Sequence, residues 1–508
     1  MYGLKPFLAA LPFFIASTVA WPSQSFKTID STPPVFEITK SGQPLAPGLI
    51  FLTPDSSTSE LAIIIDDDGN LIWSSPSAIS SNLFVQTLYG APVMHYWNGT
   101  GSANVAIEGH GYGHVQILDT GYNQIFDICP NFGLTIIGNG TFECQADLHE
   151  SYITNEATLL VTAYNLTQAN LRSVGGAVDG WVADSLFYEI DIQTQEVLFS
   201  WSALASGIGI NSSKLALNES GDVSGTEENP FDWFHINSVQ KVGTGYLING
   251  RNVWTSFMLS AAGDIQWQFE GSTGGDFHLP TGANFLRPLS IETCSDLVYK
   301  SWEHHVRAAN VTSNSLVLTM FDNANGVTGQ PLQTTRGLQF SLDLTSKVAT
   351  LLQNLFDPNE ILYVETQGAF NSLPNGNTFM DYGQLPVMKE YGPDGDVRMT
   401  IQFGDVNSTE STAESYRGYR LEWDAVPTGT SPALVVQNGI LYMSWNGATN
   451  ITSWAISTGS SADTLHKWKN VTSTGFETNA TLANATGFVH VDAMSGGQVI
   501  GSSSVLSF

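Results

Sequence analysis

Short apolar runs separated by turn residues dominate the chain. Residues 60–65, 157–164 and 315–321 are examples, and each is rich in aliphatic side chains. Each run is too short for an amphipathic helix, and clusters of Gly, Asn, Asp and Ser lie between the runs. This pattern is typical of antiparallel strands joined by tight turns. It predicts an all-β protein.

One hairpin-like unit recurs along the chain: an apolar strand, an Asp/Gly turn, and a second strand that ends on an aromatic or apolar residue. The six copies lie at residues 65–73, 117–122, 189–201, 259–267, 340–344 and 391–397. This repetition favours a six-bladed β-propeller, in which each blade is one sheet. Two packed sheets with ordinary hairpins are the alternative. No Pro-rich or Gly/Ser linker interrupts the chain, so we expect a single domain over residues 21–508.

The first 20 residues predict a signal peptide for export. Lys5 precedes a short apolar run, and Thr18 and Ala20 are the small residues expected before a cleavage site. The run is interrupted by Pro12 and is shorter than the roughly 20 apolar residues that a membrane helix needs. We therefore predict cleavage after Ala20, a secreted, extracellular protein and no membrane span.

Glycosylation sequons of the form Asn-x-Ser/Thr agree with export and predict exposed loops that carry glycans. They occur at Asn98, Asn139, Asn165, Asn211, Asn218, Asn310, Asn407, Asn450, Asn470, Asn479 and Asn484. Cys129 and Cys144 flank a short Gly/Asn-rich segment, so they could close a disulfide loop in an oxidising compartment. Cys294 is then left as a buried thiol.

Composition narrows the possible partners. The chain has 508 residues, of which 42% are hydrophobic, so it can bury a large core. Only 13% of the residues are charged, and the formal net charge is −29. An acidic surface repels nucleic-acid phosphates, so we predict no nucleic-acid partner and no anionic nucleotide cofactor. An anionic substrate would need a local cationic pocket.

Four residues are the candidates for such a pocket: His149, His235, Arg251 and His304. In a propeller, their positions fall at inner strand ends that face the central channel. An imidazole can act as a nucleophile, while arginine and further imidazoles can hold a tetrahedral anion. Three histidines could instead bind zinc. We predict no metal, because the His-x-His and His-Glu-x-x-His spacings are missing and Arg251 would repel the ion.

The segments around these residues resemble the arylsulfotransferase family, in its fungal secreted branch. In chain order, the motifs that carry the resemblance are residues 109–113, 147–150, 232–238, 251–252, 302–304, 318–323, 415–420 and 441–449. The resemblance implies a six-bladed propeller that moves a sulfuryl group from an aryl sulfate ester to a phenolic acceptor without a nucleotide donor. It implies that His304 carries the sulfuryl group transiently. His149, His235 and Arg251 would hold its oxygens or serve the phenolic oxygen.

Two neighbours of His304 bear on this hypothesis. Glu303 puts a carboxylate beside the imidazole, which predicts a raised pKa for His304. His305 follows directly, and strand alternation predicts that it points away from the channel. Two other functions stay open, because a fold does not fix a function. One is a propeller redirected to another reaction on a small aromatic metabolite, and the other is a non-catalytic secreted glycoprotein that binds ligands.

Overall fold

The computed structural model describes residues 21–56, 61–78, 80–101, 109–217, 224–279, 302–324, 333–406, 413–482 and 487–508. The predicted signal peptide, Cys294 and the sequons at Asn218, Asn407 and Asn484 lie outside these residues. Within them, helical structure is limited to the 3₁₀ turns Arg172–Val174, Ile210–Ser212 and Arg251–Val253. None of the helices in the described ranges has the length and apolar character needed to cross a membrane.

Strands make up the rest of the regular structure. The first group is β1 (Glu37–Lys40), β2 (Leu49–Leu52), β3 (Pro54–Ser56), β4 (Leu61–Ile65), β5 (Leu71–Ala78), β6 (Ser80–Leu88), β7 (Ala91–Thr100), β8 (Tyr112–Leu118), β9 (Gln124–Ile128), β10 (Ser151–Ile153), β11 (Thr158–Ala169), β12 (Gly180–Asp191) and β13 (Val197–Ser202). The second group is β14 (Ile236–Val242), β15 (Gly245–Gly250), β16 (Thr255–Leu259), β17 (Ile265–Glu270), β18 (His304–Ala309), β19 (Ser315–Asp322), β20 (Arg336–Asp343), β21 (Val348–Leu355), β22 (Ala369–Ser372), β23 (Thr378–Asp381), β24 (Val387–Tyr391) and β25 (Val397–Gln402). The third group is β26 (Ala413–Ser415), β27 (Tyr419–Leu421), β28 (Ala433–Gln437), β29 (Ile440–Ser444), β30 (Ser453–Gly459), β31 (His466–Thr472), β32 (Thr478–Thr481), β33 (Phe488–Ser495), β34 (Gln498–Ser502) and β35 (Leu506–Ser507).

Antiparallel sheets of four or five strands follow one another along most of the chain. Sheet 1 has the order β27-β2-β4-β5, sheet 2 is β6-β7-β8-β9, sheet 3 is β10-β11-β12-β13 and sheet 4 is β14-β15-β16-β17. Sheet 5 is β18-β19-β20-β21, and sheet 6 is β22-β23-β24-β25 with β1 added beside β25. The strands β3 and β26 form a separate pair. The prediction of an all-β protein is confirmed.

The predicted hairpin repeats coincide with one particular turn of these sheets. Residues 65–73 join β4 to β5, and residues 259–267 join β16 to β17. The other four repeats join the third and fourth strands of sheets 2, 3, 5 and 6. In the first repeat, Asp66 accepts the backbone N–H groups of Asp68 and Asn70, each at 2.9 Å. An aspartate that bonds its own turn in this way favours a tight hairpin.

Hydrophobic clusters fill the spaces between successive sheets. Trp73 of sheet 1 packs in one cluster with Met94 of sheet 2, and Trp267 of sheet 4 packs with Phe340 of sheet 5. Corresponding clusters join sheets 2 and 3, sheets 3 and 4, and sheets 5 and 6. Another cluster joins sheet 6 to sheet 1, where β22 and β23 contact β27. The contacts between the sheets therefore run in cyclic order.

The strands after residue 433 form further sheets with a core of their own. One has the order β28-β29-β32, and the other is β31-β30-β33-β34 with β35 beside β33. Leu441, Trp454 and Val491 belong to their shared hydrophobic cluster. Asn446 connects this region to sheet 1, because its side-chain amide accepts from and donates to the backbone of Ser74, both at 2.9 Å. The single domain over residues 21–508 stays a prediction.

A disulfide links Cys129 to Cys144 in the segment between β9 and β10. It closes a loop that leads directly to the candidate residues before β10. Most of the sequons in the described ranges are exposed, namely Asn139, Asn211, Asn310, Asn450, Asn470 and Asn479, whereas Asn98 and Asn165 are half-buried.

Candidate active site

The segments that lead into the first strand of each of five sheets converge on one buried cluster of side chains. His149 precedes β10, His235 precedes β14, and His304 is the first residue of β18. Gln367 precedes β22, and Tyr416 precedes β27. These strands are the first in sheets 3, 4, 5, 6 and 1. Contacts link β14 to β18, β18 to β22 and β22 to β27, while β11 of sheet 3 contacts β14. The cyclic order of the sheets therefore gathers residues that are far apart in the sequence.

The Gly-rich segment before β8 supplies a further histidine. The backbones of Gly113 and Ala146 exchange hydrogen bonds of 2.8 and 3.1 Å. The N–H of Gly111 donates to Asp147 Oδ2 at 2.9 Å. These bonds hold the segment against the residues that precede β10. They bring His110, which is 1% exposed, into the cluster.

Each of three histidines in the cluster is bonded to a carboxylate. His149 Nδ1 lies 2.5 Å from Asp147 Oδ1, and His235 Nδ1 lies 2.5 Å from Asp232 Oδ2. His110 Nε2 lies 3.1 Å from the same Asp232 oxygen. An ionised carboxylate only accepts hydrogen bonds, so these nitrogens carry the protons. In its neutral form, each ring then presents a lone pair on its other nitrogen.

Burial and charge set the protonation of these groups. Burial by itself would raise the pKa of Asp147, but His149 and His110 lower it to about 2. Burial lowers the pKa of His235 to about 3 and also lowers that of His149, although Asp232 and Asp147 oppose the shifts. At His110, the two carboxylates outweigh burial, and its pKa is raised. His149 and His235 are therefore neutral at neutral pH.

His304 is held in one tautomer by its neighbours. Its Nδ1 lies 2.8 Å from Asn323 Oδ1, and Asn323 Nδ2 donates to the carbonyl of Gln367 at 3.0 Å. Because the amide nitrogen faces that carbonyl, the amide oxygen must accept from His304 Nδ1. The lone pair of His304 then lies on Nε2, which accepts the N–H of Gln367 at 3.2 Å.

The prediction of a raised pKa at His304 is wrong. Burial lowers the pKa of His304 well below its usual value, and the positive charge of Arg251 lowers it further. His305 takes a left-handed backbone conformation, with φ of 52°, and its Nδ1 lies 3.0 Å from the carbonyl oxygen of Phe370. The two imidazoles therefore have different partners. The backbone at His305 is irregular, so the orientations of the two side chains do not follow simple strand alternation.

Arg251 is a half-buried cation at the edge of the cluster. Its guanidinium donates to Asn252 Oδ1 at 2.9 Å and to the carbonyl of Glu365 at 3.0 Å. Its Cζ lies 5.0 Å from the ring centroid of Trp302. Among the described residues, its Nε has no hydrogen-bond partner. Burial lowers the pKa of Arg251 to about 10, so it stays charged at neutral pH and can bind an anion.

The four residues singled out from the sequence lie together. Tyr416 stands between two of them, with ring centroids 5.5 Å from His149 and 6.4 Å from His304. The rings of His149 and His235 are 4.7 Å apart. Arg251, His235 and His149 all act on the pKa of His304.

Sequence reasoning assigned no role to several neighbours, namely His110, Asp147, Asp232, Asn323, Gln367 and Tyr416. The spacings Asp-x-His at residues 147–149 and Asp-x-x-His at residues 232–235 are a signal that could have identified the two carboxylates. The partners of His110 and His304 lie on other sheets, so no spacing could identify them.

A buried ion-pair network lies beside the cluster, next to His149 in the chain. Glu150 accepts from Arg307 at 2.8 Å and from Arg417 at 3.0 Å. Arg417 also donates to the carbonyl of Asn237 at 2.6 Å. Breaking such a pair leaves an uncompensated buried charge, which costs about 3–5 kcal/mol. This network therefore stabilises the structure on one side of the cluster.

A separate cleft of about 530 Å³ is lined in part by Val253, the last residue of the turn Arg251–Val253. Val253, Phe257, Lys214 and Glu270 are among its lining residues. None of the four candidate residues lines it, so this cleft is distinct from the buried cluster.

The fold and site define an all-β protein with a buried group of carboxylate-bonded histidines beside an arginine. The family model described as Arylsulfotransferase (ASST) matches residues 84–404, which is more than half of the chain. The chain belongs to the arylsulfotransferase (ASST) family. This match supports an arylsulfotransferase-like function and suggests aryl substrates. Membership of the fungal secreted branch stays a prediction.

Solved structures give weaker likenesses. A protein of unknown function from Bacteroides caccae is 11% identical, with 73% of this chain and 98% of that chain covered and a TM-score of 0.37. An α-L-arabinanase from Penicillium chrysogenum complexed with arabinobiose is 10% identical, with coverages of 79% and 93% and a TM-score of 0.32. Virginiamycin B lyase from Staphylococcus aureus is 8% identical, with coverages of 80% and 95% and a TM-score of 0.28. These TM-scores are too low to carry an argument. No curated protein matches the chain.

Proposed function

We propose that the protein is a six-bladed β-propeller enzyme that transfers a sulfuryl group from an aryl sulfate ester to a phenolic acceptor through His304. The six sheets in cyclic contact would be the blades. One observation carries the catalytic part of the proposal. His304 is neutral, has its proton fixed on Nδ1 by Asn323, and keeps a lone pair on Nε2 next to a cationic arginine.

In the first step, Nε2 of His304 attacks the sulfur of the aryl sulfate. An N–S bond forms, the bond between sulfur and the aryl oxygen breaks, and the phenolate leaves with the electron pair. Arg251 is charged and has donor capacity, so it would hold the sulfuryl oxygens by charge-assisted hydrogen bonds. Asn323 accepts from Nδ1 throughout and stabilises the positive charge that develops on the ring.

In the second step, the acceptor phenol attacks the sulfur and the N–S bond breaks. His149 and His235 present lone pairs when neutral, which suits them to take the phenolic proton. That proton finally reaches the departed phenolate, so no other reactant is consumed. The family resemblance implied two roles for these residues. This assignment favours the role in which they accept the proton of the phenolic oxygen. Holding sulfuryl oxygens would require protonated rings.

The backbone N–H of Gln367 has a part in the same step. It lies 3.2 Å from His304 Nε2, so it is next to any group bonded to that nitrogen. The N–H of Gln367 must break its hydrogen bond to the lone pair of Nε2 before His304 can attack the sulfur. It can then donate to an oxygen of the sulfuryl group, as a backbone donor does in an oxyanion hole.

The test is transfer from 4-nitrophenyl sulfate to phenol, followed by release of nitrophenolate. We expect release that depends on phenol and that falls by at least about 10³-fold in His304→Ala, because the nucleophile is lost. His114→Ala, at a half-buried histidine outside the cluster, is the matched control and should keep the wild-type rate. Without an acceptor, the peptide that contains His304 should gain the mass of one sulfuryl group.

Wild-type turnover in a folded His304→Ala variant would disprove the assignment of the nucleophile. If the folded wild-type protein showed no turnover with any of several aryl sulfates, the proposed reaction itself would be wrong.

We also propose that the protein is exported and glycosylated. The sequons at Asn139, Asn211, Asn310, Asn450, Asn470 and Asn479 are exposed, as glycan attachment requires. Outside the cell, a sulfotransferase needs a donor such as an aryl sulfate ester. Amino-terminal sequencing of the secreted product should begin at Trp21, and an endoglycosidase should lower its mass. A retained, unmodified chain would contradict this proposal.

A further inference from the structure

We propose that His110, His149 and His235 together bind one divalent cation of the chemical class of zinc. One nitrogen of each of the three rings lies within 4.8 Å of the others. The ring centroids are 4.7 to 5.3 Å apart. The three residues are 1%, 2% and 8% exposed, so the group is shielded from bulk solvent.

The hydrogen bonds leave one nitrogen of each ring for a ligand. The carboxylates engage Nδ1 of His149, Nδ1 of His235 and Nε2 of His110. The remaining nitrogens are Nε2 of His149, Nε2 of His235 and Nδ1 of His110, and each has a lone pair when its ring is neutral. Nδ1 of His110 faces Asp147 Oδ2 at 3.9 Å, so a cation bound there would replace the proton that the two carboxylates favour on this ring. Among the described residues, Nδ1 of His110 has no hydrogen-bond partner.

The carboxylates form the outer shell that metal-binding histidines usually have. A ligating imidazole typically donates its other N–H to a carboxylate, which fixes the tautomer and raises the basicity of the ligand. Asp147 performs this role for His149, and Asp232 performs it for both His235 and His110. Among the described residues, Asp232 Oδ1 is also buried without a partner.

The local charge favours a cation. Two ionised carboxylates, Asp147 and Asp232, outweigh the single positive charge of Arg251, whose repulsion led the sequence reasoning to predict no metal. That reasoning also relied on motif spacing, which could not reveal that residues before β8, β10 and β14 meet. Three imidazoles suit zinc and similar transition metals, whereas calcium and magnesium prefer oxygen ligands.

The rings need only a small adjustment to bind such an ion. Zinc–nitrogen bonds of about 2.1 Å place the ligand nitrogens roughly 3.4 Å apart in a tetrahedral site. For the choice of one nitrogen per ring that lies within 4.8 Å, binding requires an approach of at most about 1.4 Å. Three protein ligands leave a fourth position open. Because the proposed ligands include the nitrogens assigned to proton transfer, a bound cation and proton acceptance at His149 and His235 exclude each other.

The test measures metal binding rather than activity, so it is independent of the proposed sulfuryl transfer. Full-length protein is stripped with a chelator and titrated with Zn²⁺ by calorimetry, and Co²⁺ is followed by its visible absorption. We expect one ion per chain and a Co²⁺ spectrum typical of a nitrogen-rich tetrahedral site. His110→Gln should weaken binding at least about 100-fold, because it removes a ligand but no proposed participant in transfer. His114→Gln should bind as the wild type does.

A stripped wild-type protein that binds no stoichiometric Zn²⁺ would overturn the proposal, as would a folded His110→Gln variant with wild-type affinity. If His110→Gln does not fold, Asp232→Asn becomes the decisive variant. Loss of this outer-shell partner should weaken binding about 10- to 100-fold. Unchanged affinity in that variant would contradict the assigned geometry.

Discussion

The side-chain amide of Asn323 contacts both His304 and the backbone of Gln367. At the scale of single residues, this amide has the most specific role in the site. The carbonyl of Gln367 orients the amide, and the amide in turn decides which nitrogen of His304 carries the proton. A nucleophile with the wrong tautomer would point an N–H at the sulfur. Asn323 is therefore a positioning residue for the proposed reaction.

Asn323→Leu tests this role, because leucine has a similar size and no hydrogen-bonding groups. We expect kcat for sulfuryl transfer to fall about 10- to 100-fold, as is typical when the partner of a functional imidazole is lost. KM should change little, because the proposed role of Asn323 is to hold His304 rather than the substrate. Steady-state kinetics with 4-nitrophenyl sulfate measure both constants. Asn314→Leu, at an exposed position, is the matched control. A fall in KM with an unchanged kcat would contradict the argument that Asn323 sets the tautomer of His304.

At the scale of elements, close packing explains why the Gly-rich segment at residues 109–113 needs small residues. A Cβ atom at Gly113 would lie 2.3 Å from the carbonyl oxygen of Asn98 and 2.7 Å from the ring of Trp97. The Trp97 ring occupies this space and donates to the carbonyl of Ala146 at 2.9 Å. Small residues therefore let β8 approach both β7 and the segment before β10. This approach brings His110 to Asp232.

Gly113→Ala should destabilise the protein by about 1–3 kcal/mol, because the added methyl overfills a packed site. The free energy of unfolding in urea measures this loss. Gly101→Ala is the matched control, since no atom of the described residues lies within 4 Å of a Cβ there, and its change should stay within about 0.5 kcal/mol. Equal stability of the two variants would mean that β8 can shift without cost.

The six hairpin turns could be predicted from sequence because each is a local pattern of apolar residues and Asp or Gly. The pairing of β27 with β2, which completes sheet 1, could not be predicted in this way. Phe51 pairs with Tyr419, and no local pattern encodes so distant a partner. The same holds in the site. His149, His235, Arg251 and His304 stand in recognisable motifs, whereas the roles of their partners depend on how separate sheets align.

At the scale of the whole molecule, buried polar groups cross the junctions between sheets. His95 of sheet 2 lies 2.9 Å from Gln86 Oε1, and Gln86 bonds both the N–H and the carbonyl of Ile153 in sheet 3. Burial lowers the pKa of His95 to about 4, although Glu150 opposes the shift. His95 is therefore neutral in the folded protein, and its Nε2–H donates to Gln86 Oε1.

This pKa predicts how acid affects stability. An unfolded chain binds a proton on His95 below its usual pKa of about 6.5, and the folded chain does so only near pH 4. Stability is therefore full above pH 6.5 and is lost as the pH falls towards 4, by about 3 kcal/mol from this residue. Urea unfolding at several pH values should show a smaller loss in His95→Gln than in the wild type. His114→Gln should keep the wild-type slope, and an unchanged slope in His95→Gln would contradict the prediction.

Sheet 1 takes β27 from a point far along the chain and its other three strands from near residues 49–78. A ribosome must therefore release residue 421 before this sheet can be completed. Sheets 2 to 5 use only consecutive segments and can form earlier, while translation continues. Tyr416 and Arg417 arrive with the closing strand, so the candidate site is completed only after the strands of sheets 2 to 5 have been synthesised. A nascent chain that stops before this strand could hold folded sheets 2 to 5 but would lack two residues of the candidate site.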